Sequence, residues 1–289
     1  MSEARPQDGA SVSSRGIVAV RHAGPGPVIQ ERADTVTVEE PLEIRLGDTP
    51  VAVVMRTPGE DFELVSGFLL TEGILTDPAD LGALTYCPSA TPPNEHNVVD
   101  VRLAAGAEVD VDDLRRNLYV SSSCGVCGKT SIDQVRAQSH RQPSTFAVGE
   151  GILLTLPDSL RKAQKQFEHT GSVHAAGLFD AEGRLLALRE DVGRHNAVDK
   201  LIGRFVLDGR WPPASSVLML SGRTSFEIVQ KALLAGLGFI ASVSGPSSLA
   251  VDLADESGLT LVGFLRDGGY NLYTHGGRLR RQDAPLTQP

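Results

Sequence analysis

SSVLMLSG (residues 215–222), TSFEIVQKALLAGL (224–237) and FIASVSG (239–245) read in succession as a strand, a helix and a strand. The first and last are short apolar runs bounded by Ser and Gly, while the middle segment spaces its apolar residues with a helical period. Working outward, GSVHAAGLFD (171–180) and RLLALRE (184–190) flank AEG as a hairpin, and GRHNAVDKLIGRFVL (193–207) is an amphipathic helix. On the other side come a helix from Ser248 and a final hairpin, LTLVGFLRDGGYNLYT (259–274). Helix and strand signals that alternate in this way predict a layered α/β domain over residues 116–289.

The amino-terminal part has another rhythm. VTVEEPLEIRL (36–46) and VAVVM (51–55) predict two strands joined at Gly47-Asp48, and Pro58-Gly59 then breaks the chain. EDFELVSGFLLTEGIL (60–75) places Phe62, Val65, Phe68 and Leu69 at helical spacing, and NVVDVRLA (97–104) predicts another strand. Residues 23–115 are therefore expected to form a small α+β domain. Residues 1–22, rich in Ser, Gly and Arg and without periodicity, are expected to be a disordered tail.

Composition limits the function. The 289 residues can bury a core without staples, and three cysteines do not read as a disulfide framework. The start of the chain lacks the apolar core of a signal peptide, and no window approaches a membrane span, so a cytoplasmic protein is expected. Lys and Arg total 27 against 36 Asp and Glu, a net charge of −9 that disfavours nucleic acid. An anionic ligand must then be held by local donors.

The reactive chemistry is expected on Cys124 and Cys127 in SSSCGVCGKTSIDQV (121–135). Thr130 and Asp133 form a variant of the capping box, which sets the thiols on a loop before a helix start. That helix end and Lys129 favour thiolate, the form that attacks sulfur, and Gly125 and Gly128 leave the loop free to reach two partners. Zinc is the competing reading of Cys-x-x-Cys, but no second pair exists, and no zinc is expected. A zinc deaminase would need His-x-Glu ahead of the cysteines, whereas His96 is followed by Asn97 and Val98. Cys87 reads as an ordinary small residue.

Three further segments are candidate sites. Thr224 and Glu227 match a capping box directly after VLML, which puts Ser221, Gly222 and Arg223 in a turn at a helix start. The turn is either an anion site or an ordinary strand-to-helix turn with a solvated arginine. Arg194 and His195 lie at another helix start, with Asp191 as a possible N-cap, and His174 is on a strand. Phe264, Leu265, Arg266, Asp267, Gly268 and Gly269 read on pattern alone as a hairpin turn ahead of Tyr270.

Seven separated segments resemble the FdhD/NarQ family in one order: TPGEDFELVSGFLLTEGI, SSCGVCGK, GSVHAAGLFD, EDVGRHNAVDKLIG, SGRTSFEIVQKALLAG, PSSLAVDLA and LTLVGFLRDGGYNLYT. The resemblance implies a cytidine-deaminase-like α/β domain without deaminase zinc chemistry. It implies a sulfur carrier required for formate dehydrogenase activity, which takes sulfur as a persulfide from a cysteine desulfurase. The sulfur passes to the bis-guanylyl molybdenum (or tungsten) cofactor, Mo-bis(molybdopterin guanine dinucleotide), before that cofactor enters formate dehydrogenase. Cys124 aligns with the usual persulfide carrier, although Cys127 is nearer the helix start, so the order of the thiols stays open. Residues 264–269 correspond to a segment associated with cofactor binding, GDP is the expected analogue, and a homodimer is implied.

Overall fold

The computed structural model describes residues 10–22, 24, 26–92, 94–107, 109, 146–211 and 213–281. Its largest element is a six-stranded sheet in the order β13-β12-β11-β10-β8-β9. These strands are β8 (His174–Phe179), β9 (Leu185–Asp191), β10 (Val217–Leu220), β11 (Phe239–Ser242), β12 (Thr260–Arg266) and β13 (Gly269–Thr274). β10, β11 and β12 run parallel, and β8 lies antiparallel to β10. The parallel strands are apolar at almost every position because both sheet faces are covered. Leu218, Leu220, Ile240 and Leu261 face α5 (Arg194–Leu207), α6 (Phe226–Leu234) and α7 (Ser248–Glu256). Val217, Met219, Phe239, Ala241 and Val262 pack on the opposite face with Leu153 of α2 (Glu150–Leu153) and Leu156 and Leu160 of α3 (Leu156–Ala163). The alternation along each strand follows from the two-residue period of side-chain direction.

A second sheet, in the order β4-β3-β6-β5, comprises β3 (Glu40–Leu46), β4 (Thr49–Arg56), β5 (Leu81–Tyr86) and β6 (Val98–Leu103). β3 and β4 turn at Gly47, which has φ 57°, as the Gly47-Asp48 signal predicts. α1 (Asp61–Thr71) covers this sheet with Leu64, Val65, Leu69 and Leu70, while its other side lies against α5. Of the four apolar residues at helical spacing, Phe62 and Phe68 are only partly buried. A helix held between a sheet and another helix needs two buried sides, and the second consists of Glu63 and Gly67 rather than large apolar residues. Glu63 is neutralised there by Arg189, whose Nη2 donates to Oε1 at 2.7 Å, and by Arg204 at 3.5 Å.

The tail expectation is corrected in part. β1 (Val12–His22) pairs along its length with β2 (Pro27–Thr37), so residues 12–22 are strand. Its start is tied to α4 (Lys165–Thr170), because Gln166 Nε2 donates to the Ser11 carbonyl at 3.0 Å and Thr37 Oγ1 donates to Thr170 Oγ1 at 3.0 Å. Two short strands, β7 (Val148–Gly149) and β14 (Leu279–Arg280), pair in parallel. Among the described residues no helix is long and apolar enough to cross a membrane.

Candidate functional site

The carboxyl ends of β10, β11 and β12 open at one edge of the six-stranded sheet, the place where loops of parallel strands gather ligands in α/β folds. Because β8 is antiparallel to β10, its first residue, His174, comes to the same edge, opposite Asp191 at the end of β9. The sheet thus brings together the turn at residues 221–225, the loop at 243–247 and the start of α5.

Ser221 closes the strand end: its N–H donates to the Ala175 carbonyl at 3.0 Å, and its Oγ accepts from the Ala175 N–H at 2.8 Å. Gly222 packs close to His174: a Cβ there would lie 3.0 Å from Nδ1, so the ring would have to give by a few tenths of an ångström. Arg223 is exposed. Thr224 is 1% exposed; its N–H donates to the Gly245 carbonyl at 3.3 Å, its carbonyl accepts from Ser247, and its Oγ1 has no partner among the described residues. The expected capping box is corrected by one residue. α6 begins at Phe226, its N-cap is Ser225, and Glu227 turns instead to His195, with Oε2 lying 2.8 Å from Nε2. Ser225 Oγ donates to the same carboxylate oxygen at 3.2 Å. Burial alone would raise the Glu227 pKa, but these bonds, with the charges of His195 and Arg194, lower it.

Asp191 is not the N-cap of α5, a position taken by Gly193. It is fully buried and fixes the turn that carries Arg194 and His195. Its Oδ1 accepts from Gly193 N–H at 2.8 Å and Asn196 Nδ2 at 2.9 Å, and its Oδ2 accepts from Thr57 N–H at 3.1 Å and Lys200 Nζ at 2.9 Å. Arg194 Nε is buried without a partner among the described residues. Burial pushes the His174 pKa down, and the charges of Arg194, Arg223 and His195 push it further, so its imidazole stays neutral near pH 7. The edge therefore carries two guanidiniums beside a neutral imidazole.

The predicted hairpin turn is present. Arg266 pairs with Gly269 around Asp267 and Gly268, whose φ values of 53° and 75° suit a primed two-residue turn. Phe264 sits in a bulge at φ 52°, and its ring lies against Gly245, where a Cβ would come within 2.7 Å of it. Its N–H donates to the Ser244 carbonyl at 3.1 Å, which ties the hairpin to the 243–247 loop. Leu265 is 1% exposed and belongs to the core, whereas Arg266 and Asp267 are exposed at the hairpin end. Tyr270 is engaged by Glu150, to which its hydroxyl donates. Cys124 and Cys127, with Gly125, Gly128, Lys129, Thr130 and Asp133, lie outside the described residues. Cys87 is 7% exposed, near Arg45 and Ser89. Among the described residues no group of three His, Cys, Asp or Glu side chains could hold a metal ion.

Sequence reasoning missed the Asp191 and Lys200 pair, because Asp191 read as an N-cap and Lys200 as a polar position of an amphipathic helix. It also missed Glu227 as the partner of His195, although Glu227 was visible as a capping candidate.

In class this is a mixed α/β protein whose parallel-strand ends carry a small group of cationic and polar side chains. The FdhD/NarQ family model matches residues 37–280, and the chain belongs to that family. It is 52% identical over 250 residues to "Sulfur carrier protein FdhD" of Streptomyces avermitilis, covering 85% of this chain and 89% of that one. A protein of the same name from Mycobacterium tuberculosis is 51% identical over 267 residues, 90% of this chain and 96% of its relative. The fold is similar, with a TM-score of 0.71 and 25% identity, to a crystal structure from Desulfotalea psychrophila of a protein assigned as a formate dehydrogenase accessory protein. The match covers 92% of this chain and 99% of that one.

Proposed function

We propose that this protein is a cytoplasmic sulfur carrier that serves formate dehydrogenase. Cys124 or Cys127 accepts sulfur as a persulfide from a cysteine desulfurase, and the sulfur then passes to the bis-guanylyl molybdenum or tungsten cofactor. The observation that carries this reading is the near-complete coverage, at about half identity, of relatives named as sulfur carriers. The two-sided α/β layering supports the cytidine-deaminase-like class, and a homodimer belongs to the same proposal.

The cysteine chemistry balances without a redox cofactor. A thiolate attacks the outer sulfur of the donor's persulfide, the new S–S bond forms as the donor's S–S bond breaks, and the donor leaves as thiolate. At the sheet edge, Arg223 and Arg194 supply cations for phosphate oxygens, and the backbone amides of the turn supply further donors. Incubation with a cysteine desulfurase and cysteine should add about one sulfur to the intact mass, and thiol reductant should remove it. No gain would leave the protein a cofactor-binding chaperone without transfer.

Arg223→Ala should weaken GDP binding about tenfold or more, since one charge-assisted bond to phosphate contributes roughly 1.5–3 kcal/mol and 1.4 kcal/mol is a decade. Lysine should restore part of the loss, as a point charge without the planar fork. Calorimetric titration reads both, and unchanged GDP affinity in Arg223→Ala would remove this turn from the site.

A further inference from the structure

The four-stranded sheet has α1 on one face only. Leu42, Ile44, Val51 and Val99 pack on that side, so by the two-residue period Glu43, Arg45, Val53 and Val98 point the other way. There a cavity of about 410 Å³ lies between the sheet and the loop after β5, and Cys87 lines it with Glu43, Arg45, Val53, Ser89 and Asn97. Arg45 Nη1 donates to Cys87 Sγ at 3.7 Å, and Ser89 Oγ lies 3.2 Å from the same sulfur. Arg45 Nε also donates to Glu43 Oε1 at 2.8 Å. The cavity wall thus carries a cation, an anion and a thiol side by side. Asn97 is an independent sign of a ligand. It is 9% exposed, and its Oδ1 is held by the buried Arg56 at 3.0 Å, so the amide nitrogen is the part of it left to the cavity. That Nδ2 has no acceptor among the described residues, and a donor on so buried a side chain is rarely left unpaired.

We infer that this cavity captures a low-molecular-weight disulfide with an α-amino-acid head, of the cystine class, as a mixed disulfide on Cys87. Arg45 takes the carboxylate of the head, Glu43 takes its ammonium, and Asn97 Nδ2 donates to a carboxylate oxygen. The volume lies within the range of about 300–1,000 Å³ usual for small-molecule pockets. The Cys87 thiolate attacks one sulfur of the ligand, and the new S–S bond forms as the ligand's S–S bond breaks. The second half leaves as thiolate and takes up the proton that Cys87 gave away, so no further oxidant or reductant enters. Arg45 is the cation beside the attacking sulfur. The site lies on the second sheet and is independent of the sulfur transfer proposed for Cys124 or Cys127.

Intact mass and peptide mapping over a time course with L-cystine, cystamine and dithiodipropionate test the site on the full chain. The Cys87 peptide should gain one half-cystine that thiol reductant removes, and Cys87→Ser should lose that adduct while leaving any adduct on Cys124 or Cys127. Cystamine lacks the carboxylate and dithiodipropionate lacks the amine, so each should label Cys87 about tenfold or more slowly than cystine, the effect of one charge-assisted contact. Arg45→Met should abolish the preference for cystine over cystamine, and thermal unfolding verifies that the variant is folded. If it does not fold, the three disulfides on wild type decide by themselves. Labelling of Cys87 only after unfolding in urea would show a thiol closed to ligands and overturn the inference. Equal rates with all three disulfides would overturn it as well, since the thiol would then react without a site for the amino-acid head.

Discussion

Asp191→Ala should cost about 3–5 kcal/mol of stability, the range expected when one partner of a buried ion pair is removed. Asp191 and Lys200 are both 0% exposed, with Oδ2 and Nζ 2.9 Å apart. Without the carboxylate the ammonium keeps the Thr57 carbonyl at 2.8 Å, and its next anion is Glu60 at 3.9 Å. The same change strips the Thr57 and Gly193 N–H groups of their acceptor. Lys200→Met in the Asp191→Ala background should recover part of the loss, because it removes the stranded charge. Denaturant unfolding of the two single variants and the double variant forms the cycle. A double variant whose loss equals the sum of the two single losses would show that the pair is not coupled. A second, functional effect follows from position: Asp191 holds the turn that places Arg194 and His195, so GDP affinity should fall together with stability.

A related network begins at the neighbouring residue of α5, Asp199. Lys231 Nζ donates to Asp199 at 2.9 Å, to Glu72 at 2.7 Å and to Thr71 Oγ1 at 3.0 Å. Burial opposes the charge of Lys231, but the Asp199 and Glu72 carboxylates outweigh it and raise its pKa. These ion pairs lie where α1, α5 and α6 meet. The amino-terminal sheet and the site-bearing sheet are thus joined by charged residues as well as by apolar ones.

The β10–α6–β11 unit, both flanking hairpins, α5 and α7 were legible because their apolar periods are strong and their ends carry Gly, Ser or Asp. β1 was not legible: residues of its eleven-residue run are exposed or only partly buried, so burial imposed no apolar alternation on the sequence. The site was legible as turns but not as partners. Ser221, Gly222, Arg223 and Thr224 could be placed after a strand, yet the helix starts at Phe226 because Ser225 is the N-cap and Glu227 is drawn to His195. Local patterns identify a helix start to within a residue, whereas the choice between a cap and a partner 32 positions away depends on tertiary contact. The burial of Asp191, Lys200 and Gln164 was hidden for a common reason. A polar residue in a short pattern reads as solvent-facing, and only packing from another segment shows that it is buried.

Gly203→Ala should unfold or strongly destabilise the protein, although alanine is the better helix former by about 1 kcal/mol. Gly203 in α5 faces the backbone of α1, and a Cβ there would stand 1.8 Å from the Glu63 carbonyl oxygen. The contact is reciprocal, since a Cβ at Gly67 in α1 would stand 1.8 Å from the Asp199 carbonyl oxygen of α5. Both obstacles are backbone, which no side-chain rotation can move away. The helices must separate, and α1 is already backed by Leu42, Ile44 and Val99 of the second sheet. Overpacking of this kind typically costs 1–3 kcal/mol where side chains can yield, so a loss of about 3 kcal/mol or more is expected here. With roughly 2–4 °C for each kcal/mol in large domains, the unfolding midpoint should drop by about 6 °C or more. Gly151→Ala is the internal control. It lies in α2 with nothing within 4 Å of the added carbon, so propensity alone acts and stability should hold or rise slightly. If Gly203→Ala and Gly151→Ala shift the midpoint equally, α1 and α5 are not in backbone contact at these two glycines.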